Sequence, residues 1–171
     1  YISSGTWSLM GVEIKEALCD AQSDKLGFTN EFGVSRDIRY LKNISGLWII
    51  QECRRHWQSE GLRFNYDQLT DMSRQANPFS AVIDVDDPVF SSIGNMPEKI
   101  IDHCRKGNQV LPSGKNEILR TALEGLALKY REVHENLRIM TGRSLDTIHL
   151  VGGGSKNELL NQMTADATGC N

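Results

Sequence analysis

The amino-acid sequence predicts an α/β domain with a mixed β-sheet flanked by helices. Three observations carry this. The opening segment YISSGTWSLMGVEI alternates apolar and polar residues around a Ser-Gly-Thr turn. Residues 116–140 hold a single apolar helical face, and residues 147–167 read as strand, glycine turn and helix. Strands that precede a block of helices and close on a βα unit fit a mixed sheet, not a regular alternation of parallel strands.

Taken in order, Tyr1–Ile14 is expected to form two strands joined by a tight turn at Ser4, Gly5 and Thr6. They must be antiparallel, because so short a connection cannot cross a sheet. A polar loop with Asp20, Ser23, Asp24 and Gly27 follows. Phe28–Lys42 has the aromatic and β-branched content of further strands, ending near Tyr40. Asn43–Gln58 reads as a helix because Ile44, Leu47, Trp48, Gln51 and His56 fall on related faces, with Gly61 as its stop. Tyr66–Gln75 is a shorter helix halted before Asn77-Pro78. Ala81–Val85 reads as a buried strand leading into the acidic turn Asp84–Pro88, and Met96–Lys106 as a helix with Pro97 in its first turn. In Asn116–Met140, apolar residues from Ile118 to Met140 recur at helical spacing, with Ser113 as cap and Gly142 as stop. Thr147–Val151 is then a strand, Gly152–Ser155 a turn and Asn157–Ala167 a helix.

The composition narrows the function. The 171 residues are 39% hydrophobic and 24% charged, enough to build one packed domain. A net charge of -3, a pI of about 5.8 and scattered Lys and Arg argue against a nucleic-acid partner. No apolar run approaches the ~20 residues of a membrane span, so no membrane partner is expected. Cys19, Cys53, Cys104 and Cys170 are far apart and form no C-x-x-C pair, which reads as free thiols in a reducing cytoplasm. The chain opens inside an apparent strand and closes just after a helix, so both ends are expected to be truncated from a longer protein.

The triple glycine Gly152-Gly153-Gly154 follows a strand and precedes a helix, where backbone N–H groups face an anion or a flat base. It is neither the G-x-G-x-x-G fingerprint, since Asn157 stands at the last position, nor a P-loop, since no Lys-Ser or Lys-Thr follows. A plain tight turn in which glycine only relieves crowding fits the spacing equally well. The Gly5-Thr6 turn offers N–H groups and a hydroxyl, a common feature of hairpins that by itself favours no ligand. Asp84, Asp86 and Asp87 lack the glycine and glutamate of a calcium loop, and the four histidines show no paired spacing, so no metal site is expected. Trp7, Trp48 and Trp57 read as core anchors.

Taken together, YISSGTWSLMGVE, LKNISGLWIIQECRRHW and IHLVGGGSKNELLNQMTADATG, in this order and spacing, resemble the carboxy-terminal domain of the FGGY family of carbohydrate kinases. The resemblance runs from Tyr1 to Gly169 and is thin between Gly61 and Lys115. It implies a ribonuclease H-like, actin-like ATPase fold in which two domains clasp a cleft, sugar mainly on the first and nucleotide mainly on the second. Residues 1–171 correspond to most of the second, with the amino-terminal domain of the same protein as partner. The resemblance further implies ATP and Mg²⁺ as cofactors and a sugar substrate. Within the family, SSGTWSLMG and LKNISGLW point to conversion of L-rhamnulose to L-rhamnulose 1-phosphate. Position by position, Gly5 and Thr6 match the phosphate-facing turn. Asn43 and Gln51 match the start and second turn of the helix bordering the cleft, and Gly153 and Asn157 match the adenosine-binding turn.

An eight-residue spacing sets Asn43 and Gln51 on one helical face, and a helix starting at Asn43 aims its N-terminal dipole at the cleft. The family's catalytic Asp lies upstream of the Gly-Thr turn, so no residue here is expected to be catalytic and the fragment alone is expected to be inactive. Other readings of the same residues are a different ketose or polyol kinase of the family, an actin-like ATPase that drives partner binding, and a nucleotide-binding module without transfer.

Overall fold

In the computed structural model, which describes all 171 residues, the chain opens on strands β1 (Ile2–Ser4) and β2 (Ser8–Ile14). They pair antiparallel with Ser4 opposite Ser8, so Gly5, Thr6 and Trp7 make the turn. The next segment, expected as a loop, contains a short helix, α1 (Ala21–Leu26). Asp20 caps it by accepting from the Ser23 N–H at 2.7 Å, and Gly27 closes it at φ 72°, a conformation that costs glycine little.

Strands β3 (Phe28–Phe32) and β4 (Ile38–Ile44) form a second hairpin. β4 pairs along its whole length with β2, from Ser8 opposite Ile44 to Ile14 opposite Ile38. This corrects the expected helix start: Asn43 is an exposed strand residue opposite Leu9, and helix α2 begins only at Trp48 and runs to Ser59. The residues Tyr40 to Ile44 satisfy either period, and the ladder to β2 decides for strand.

Helix α3 (Tyr66–Arg74) is closed at its start by a reciprocal capping box between Asn65 and Gln68. Residues 81–85 are buried in alternation but form no strand. Their nearest ladder is a side chain: Gln109 exchanges two hydrogen bonds, each 2.8 Å, with the Val82 backbone. Helix α4 (Met96–Lys106) begins behind Asn95, which caps it, with Pro97 in the first turn.

Helix α5 (Lys115–Thr141) is 27 residues long, about 40 Å, and supplies the largest share of the core. Its N-cap is Gly114 and makes no side-chain bond, so Ser113 does not cap it as expected; Gly142 does end it, at φ 65°. Gly125 lets residues 81–85 cross it closely, since a Cβ there would stand 2.6 Å from the Ile83 carbonyl oxygen.

The chain then returns to the sheet. β5 (Leu150–Val151), shorter than the predicted 147–151, pairs parallel with β1, and α6 (Glu158–Thr168) follows. The result is one mixed five-stranded sheet in the order β3-β4-β2-β1-β5, flanked by helices. Ile2, Met10, Phe28, Tyr40 and Ile44 join α2, α3, α4 and α5 in one buried cluster. Burying such side chains contributes about 1.5–3 kcal/mol each. No helix is long and apolar enough to cross a membrane, and all four cysteines are free thiols.

Candidate functional site

The β1–β2 turn and the start of α2 are built as one unit. Leu47 N–H donates to Gly5 O and Trp48 N–H to Thr6 O, both at 2.9 Å. The first free donors of α2 are therefore consumed by the turn's carbonyls. Because Asn43 lies in β4, the expected helix N-terminus at Asn43 does not occur; the helix end that borders the cavity is at Leu47 and Ile50. Gly46, which no sequence motif marks, makes this contact feasible. It sits at φ 54°, and a Cβ there would lie 2.6 Å from Thr6 O and 2.8 Å from Ser8 N.

Within the turn, Gly5 N–H is engaged by Trp7 O at 3.1 Å, whereas Thr6 N–H has no backbone partner. Thr6 Oγ1 lies 3.0 Å from Gln51 Nε2 and 3.2 Å from Gln51 Oε1. Gln51 Nε2 donates to Thr6 Oγ1, and the hydroxyl proton is directed at Gln51 Oε1 over the longer contact, from which a stronger acceptor can draw it. The turn thus presents the unpaired Thr6 N–H and a Thr6 hydroxyl shared with the Gln51 amide, and no donor from Gly5. Trp7 projects outward, 49% exposed, and stacks on Trp48 at 6.4 Å between ring centres; of the three tryptophans read as anchors, only Trp57 is fully buried.

The three glycines divide by role. Gly152 adopts φ 89°, and a Cβ there would stand 2.5 Å from Ser4 O. At Gly154 an added Cβ would overlap the Ser4 hydroxyl and come within 2.9 Å of Ser4 Cβ and 3.1 Å of Leu47 Cδ1. These two let the turn lie against β1. Gly153 has nothing within 4 Å of an added Cβ and borders open space. Residues Gly153–Lys156 form a 3₁₀ turn, and Asn157 caps α6 by accepting from Leu160 N–H at 3.0 Å. The Asn157 carbonyl is thereby committed to the helix, and its Nδ2 group is the end left for a ligand.

These parts meet at a cavity of about 550 Å³. Gly5, Thr6, Gln51, Gly153 and Asn157 all line it, and Asn43 does not. Leu47, Ile50, Leu69, Leu119 and Leu123 give it an apolar floor, while Asn65, Tyr66, Asp67 and Thr70 at the start of α3 and Lys156 add polar groups. The α3 contribution was not legible beforehand, because nothing in residues 65–70 marks a site until α3 packs beside α2. That packing is fixed by Arg54, whose Nε donates to Phe64 O at 2.7 Å and whose guanidinium lies 4.8 Å over the Tyr66 ring.

The other polar clusters serve the fold. Asp86 Oδ1 accepts from Ser45 N–H at 2.9 Å. Asp84 pairs with the buried Lys129 at 3.0 Å. Burial opposes both charges, yet the hydrogen bonds and mutual attraction outweigh it, so the Asp84 carboxyl is held below its usual range and the Lys129 ammonium above its own. Beneath the β1–β2 turn, Tyr130 OH and Ser8 Oγ are 2.6 Å apart and buried, and burial pushes the Tyr130 phenol up. Burial also drives the Cys53 thiol far up, with the Glu52 charge adding to it, which keeps it protonated and unreactive.

Over residues 1–171 the chain matches the family model for the C-terminal domain of the FGGY family of carbohydrate kinases, and it belongs to that family. It is 44% identical over 169 residues to a rhamnulokinase of Bacteroides thetaiotaomicron and 42% identical over 168 residues to one of Enterococcus faecalis. These matches cover 99% and 97% of this chain but only 34% and 33% of the relatives, so the chain spans about a third of their length. Among solved structures, xylulose kinase from Bifidobacterium adolescentis superposes with a TM-score of 0.65 over 99% of this chain and 32% of its own, at 18% identity. At that identity the likeness defines the fold, that of the actin-like ATPases.

Proposed function

We propose that this chain supplies the ATP-binding half of a sugar kinase that converts L-rhamnulose to L-rhamnulose 1-phosphate. One observation carries the nucleotide role: Gly5, Thr6, Gln51, Gly153 and Asn157, from separate parts of the chain, line the same cavity. The Thr6 N–H, with the hydroxyl beside it, suits phosphate oxygens, and the apolar floor suits a purine face. Phosphoryl transfer needs chiefly positioning and charge neutralisation, which such a cleft wall offers. The choice of sugar rests on the rhamnulokinase relatives at 36–44% identity.

Mg²⁺, when bound with ATP, neutralises phosphate charge. No three His, Cys, Asp or Glu side chains gather into a metal-holding group, and Asp67 is the one carboxylate on the cavity wall. That donor set fits an ion held mainly by phosphates and water. Asn43, exposed on β4 outside the cavity, is assigned to the sugar side. The catalytic Asp is assigned to the amino-terminal domain, and residues 1–171 alone are expected to bind ATP without transferring phosphate. A coupled assay of the full-length protein against a panel of ketoses and polyols tests this. The highest kcat/KM is expected for L-rhamnulose. A preference for another sugar overturns the substrate, and ATP turnover with none of them overturns the kinase.

A further inference from the structure

We propose that Asp67 reads the ribose of the bound nucleotide, accepting hydrogen bonds from its hydroxyls, so that the site selects ribonucleotides over deoxyribonucleotides. The inference rests on the nucleotide reading of the cavity given above.

The placement of α3 leads to it. Gln51, which holds Thr6, and Arg54, which holds the start of α3, are three residues apart on α2, about one helical turn or ~5 Å. The first turn of α3 therefore lies one step beyond the phosphate-facing donors, where the sugar of a nucleotide follows its phosphates. The deeper wall is apolar: Leu69, Leu119 and Leu123 are each no more than 2% exposed. A purine face is matched to that floor, which leaves the hydroxyl edge of the ribose for the polar lip of the cavity. Asp67 is on that lip and exposed.

Its carboxylate is also uncommitted. The start of α3 is already capped reciprocally by Asn65 and Gln68. No cation lies within 4 Å of Asp67, not even Lys156 on the same cavity. A carboxylate repels phosphate oxygens, so among the nucleotide's own groups it is matched to the neutral portion. Ionised, it is an acceptor alone, and the ribose hydroxyls are donors; a carboxylate on ribose hydroxyls is the pairing that dinucleotide folds use.

The test measures kcat/KM of the full-length protein for ATP, 2′-deoxy-ATP, 3′-deoxy-ATP and ITP, in the wild type and in Asp67→Ala and Asp67→Asn. The wild type should prefer ATP to one or both deoxy analogues by about tenfold or more, the loss of a charged hydrogen bond. Asp67→Ala should shrink that ratio to about twofold or less while leaving the ATP-to-ITP ratio unchanged, and Asp67→Asn should fall between. An unaltered ribo-to-deoxy ratio in Asp67→Ala overturns the assignment. So does a collapse of the ATP-to-ITP ratio, which places the carboxylate on the base amine. Calorimetry of Gly153→Val with ATP separates the two levels. Full affinity there removes the nucleotide from this cavity altogether, whereas lost affinity beside an unaltered Asp67 ratio removes only Asp67.

Discussion

The glycine turn offers a pair of substitutions, one residue apart, with opposite expected consequences. At Gly154 an alanine methyl would overlap the Ser4 hydroxyl and approach Ser4 Cβ to 2.9 Å. Ser4 is 3% exposed and pairs with Ser8 at the end of the β1–β2 ladder, so it cannot move aside without loosening that pairing. Overpacking of this kind costs about 1–3 kcal/mol, which for a domain of this size lowers the melting temperature by roughly 2–12 °C. At Gly153 an alanine methyl meets nothing within 4 Å, and the backbone is not left-handed there. Gly→Ala at such a position stabilises by about 0.4–1 kcal/mol through the unfolded chain, a rise of roughly 1–4 °C. Gly153→Val should likewise fold, yet its branched side chain fills the space assigned to the nucleotide and should abolish ATP binding. Thermal melts of the full-length variants, with calorimetry against ATP, read both effects. A Gly154→Ala protein that melts with the wild type would refute the packing argument. A Gly153→Val protein with full ATP affinity would refute the site.

Three further outcomes are expected. Thr6→Val keeps the shape of the turn but removes its hydroxyl, and should lower kcat/KM for ATP by about 10–100-fold, the worth of one charged hydrogen bond of about 1.5–3 kcal/mol; unchanged steady-state kinetics would take Thr6 out of the site. Tyr130→Phe leaves the Ser8 hydroxyl buried without its 2.6 Å partner, and should destabilise by about 1–3 kcal/mol in a denaturant titration, with ATP affinity close to wild type. The Asp84–Lys129 pair has a defined pH window. Asp84 is depressed below its ordinary 3.8, so its support is present above that pH and lost as the pH falls through the folded-state value. Lys129 is raised above 10.5, so its support is present below that pH and lost as the pH rises through the folded-state value. Asp84 is 55% exposed on its side chain, which limits the pair to about 0.2–1 kcal/mol. The melting difference between wild type and Asp84→Asn should hold constant from neutral to mildly acid pH and close below about pH 3.8; a difference that persists at pH 2 would point to packing instead of charge.

The helices were legible wherever their signals were local. Pro97 marks the first turn of α4, Gly142 marks the end of α5 in the left-handed region, and the apolar stripe of α5 repeats every 3.6 residues. Each of these is settled within a turn or two of chain, so the sequence alone determined it. The same holds for the antiparallel β1–β2 pair, whose short turn admits no other pairing. The family followed from the three quoted segments taken in order, since no one of them was specific alone.

Tertiary structure decided what depends on distant partners. Asn43 belongs to a strand because β4 pairs over seven residues with β2, and no local pattern outweighs such a ladder. Residues 81–85 alternate like a strand yet join no sheet, because α5 and the Gln109 side chain occupy both sides of them. Thr6 and Gln51 are 45 residues apart and touch only because the α2 donors close on the carbonyls of the β1–β2 turn. The contribution of α3 to the cavity, and with it Asp67, arises from Arg54 docking on Phe64 and Tyr66. Which of the three glycines faces open space was likewise settled by Ser4, some 150 residues away. A turn's chemistry can be read from its own residues; what stands across from it is set by packing free energy summed over the whole core.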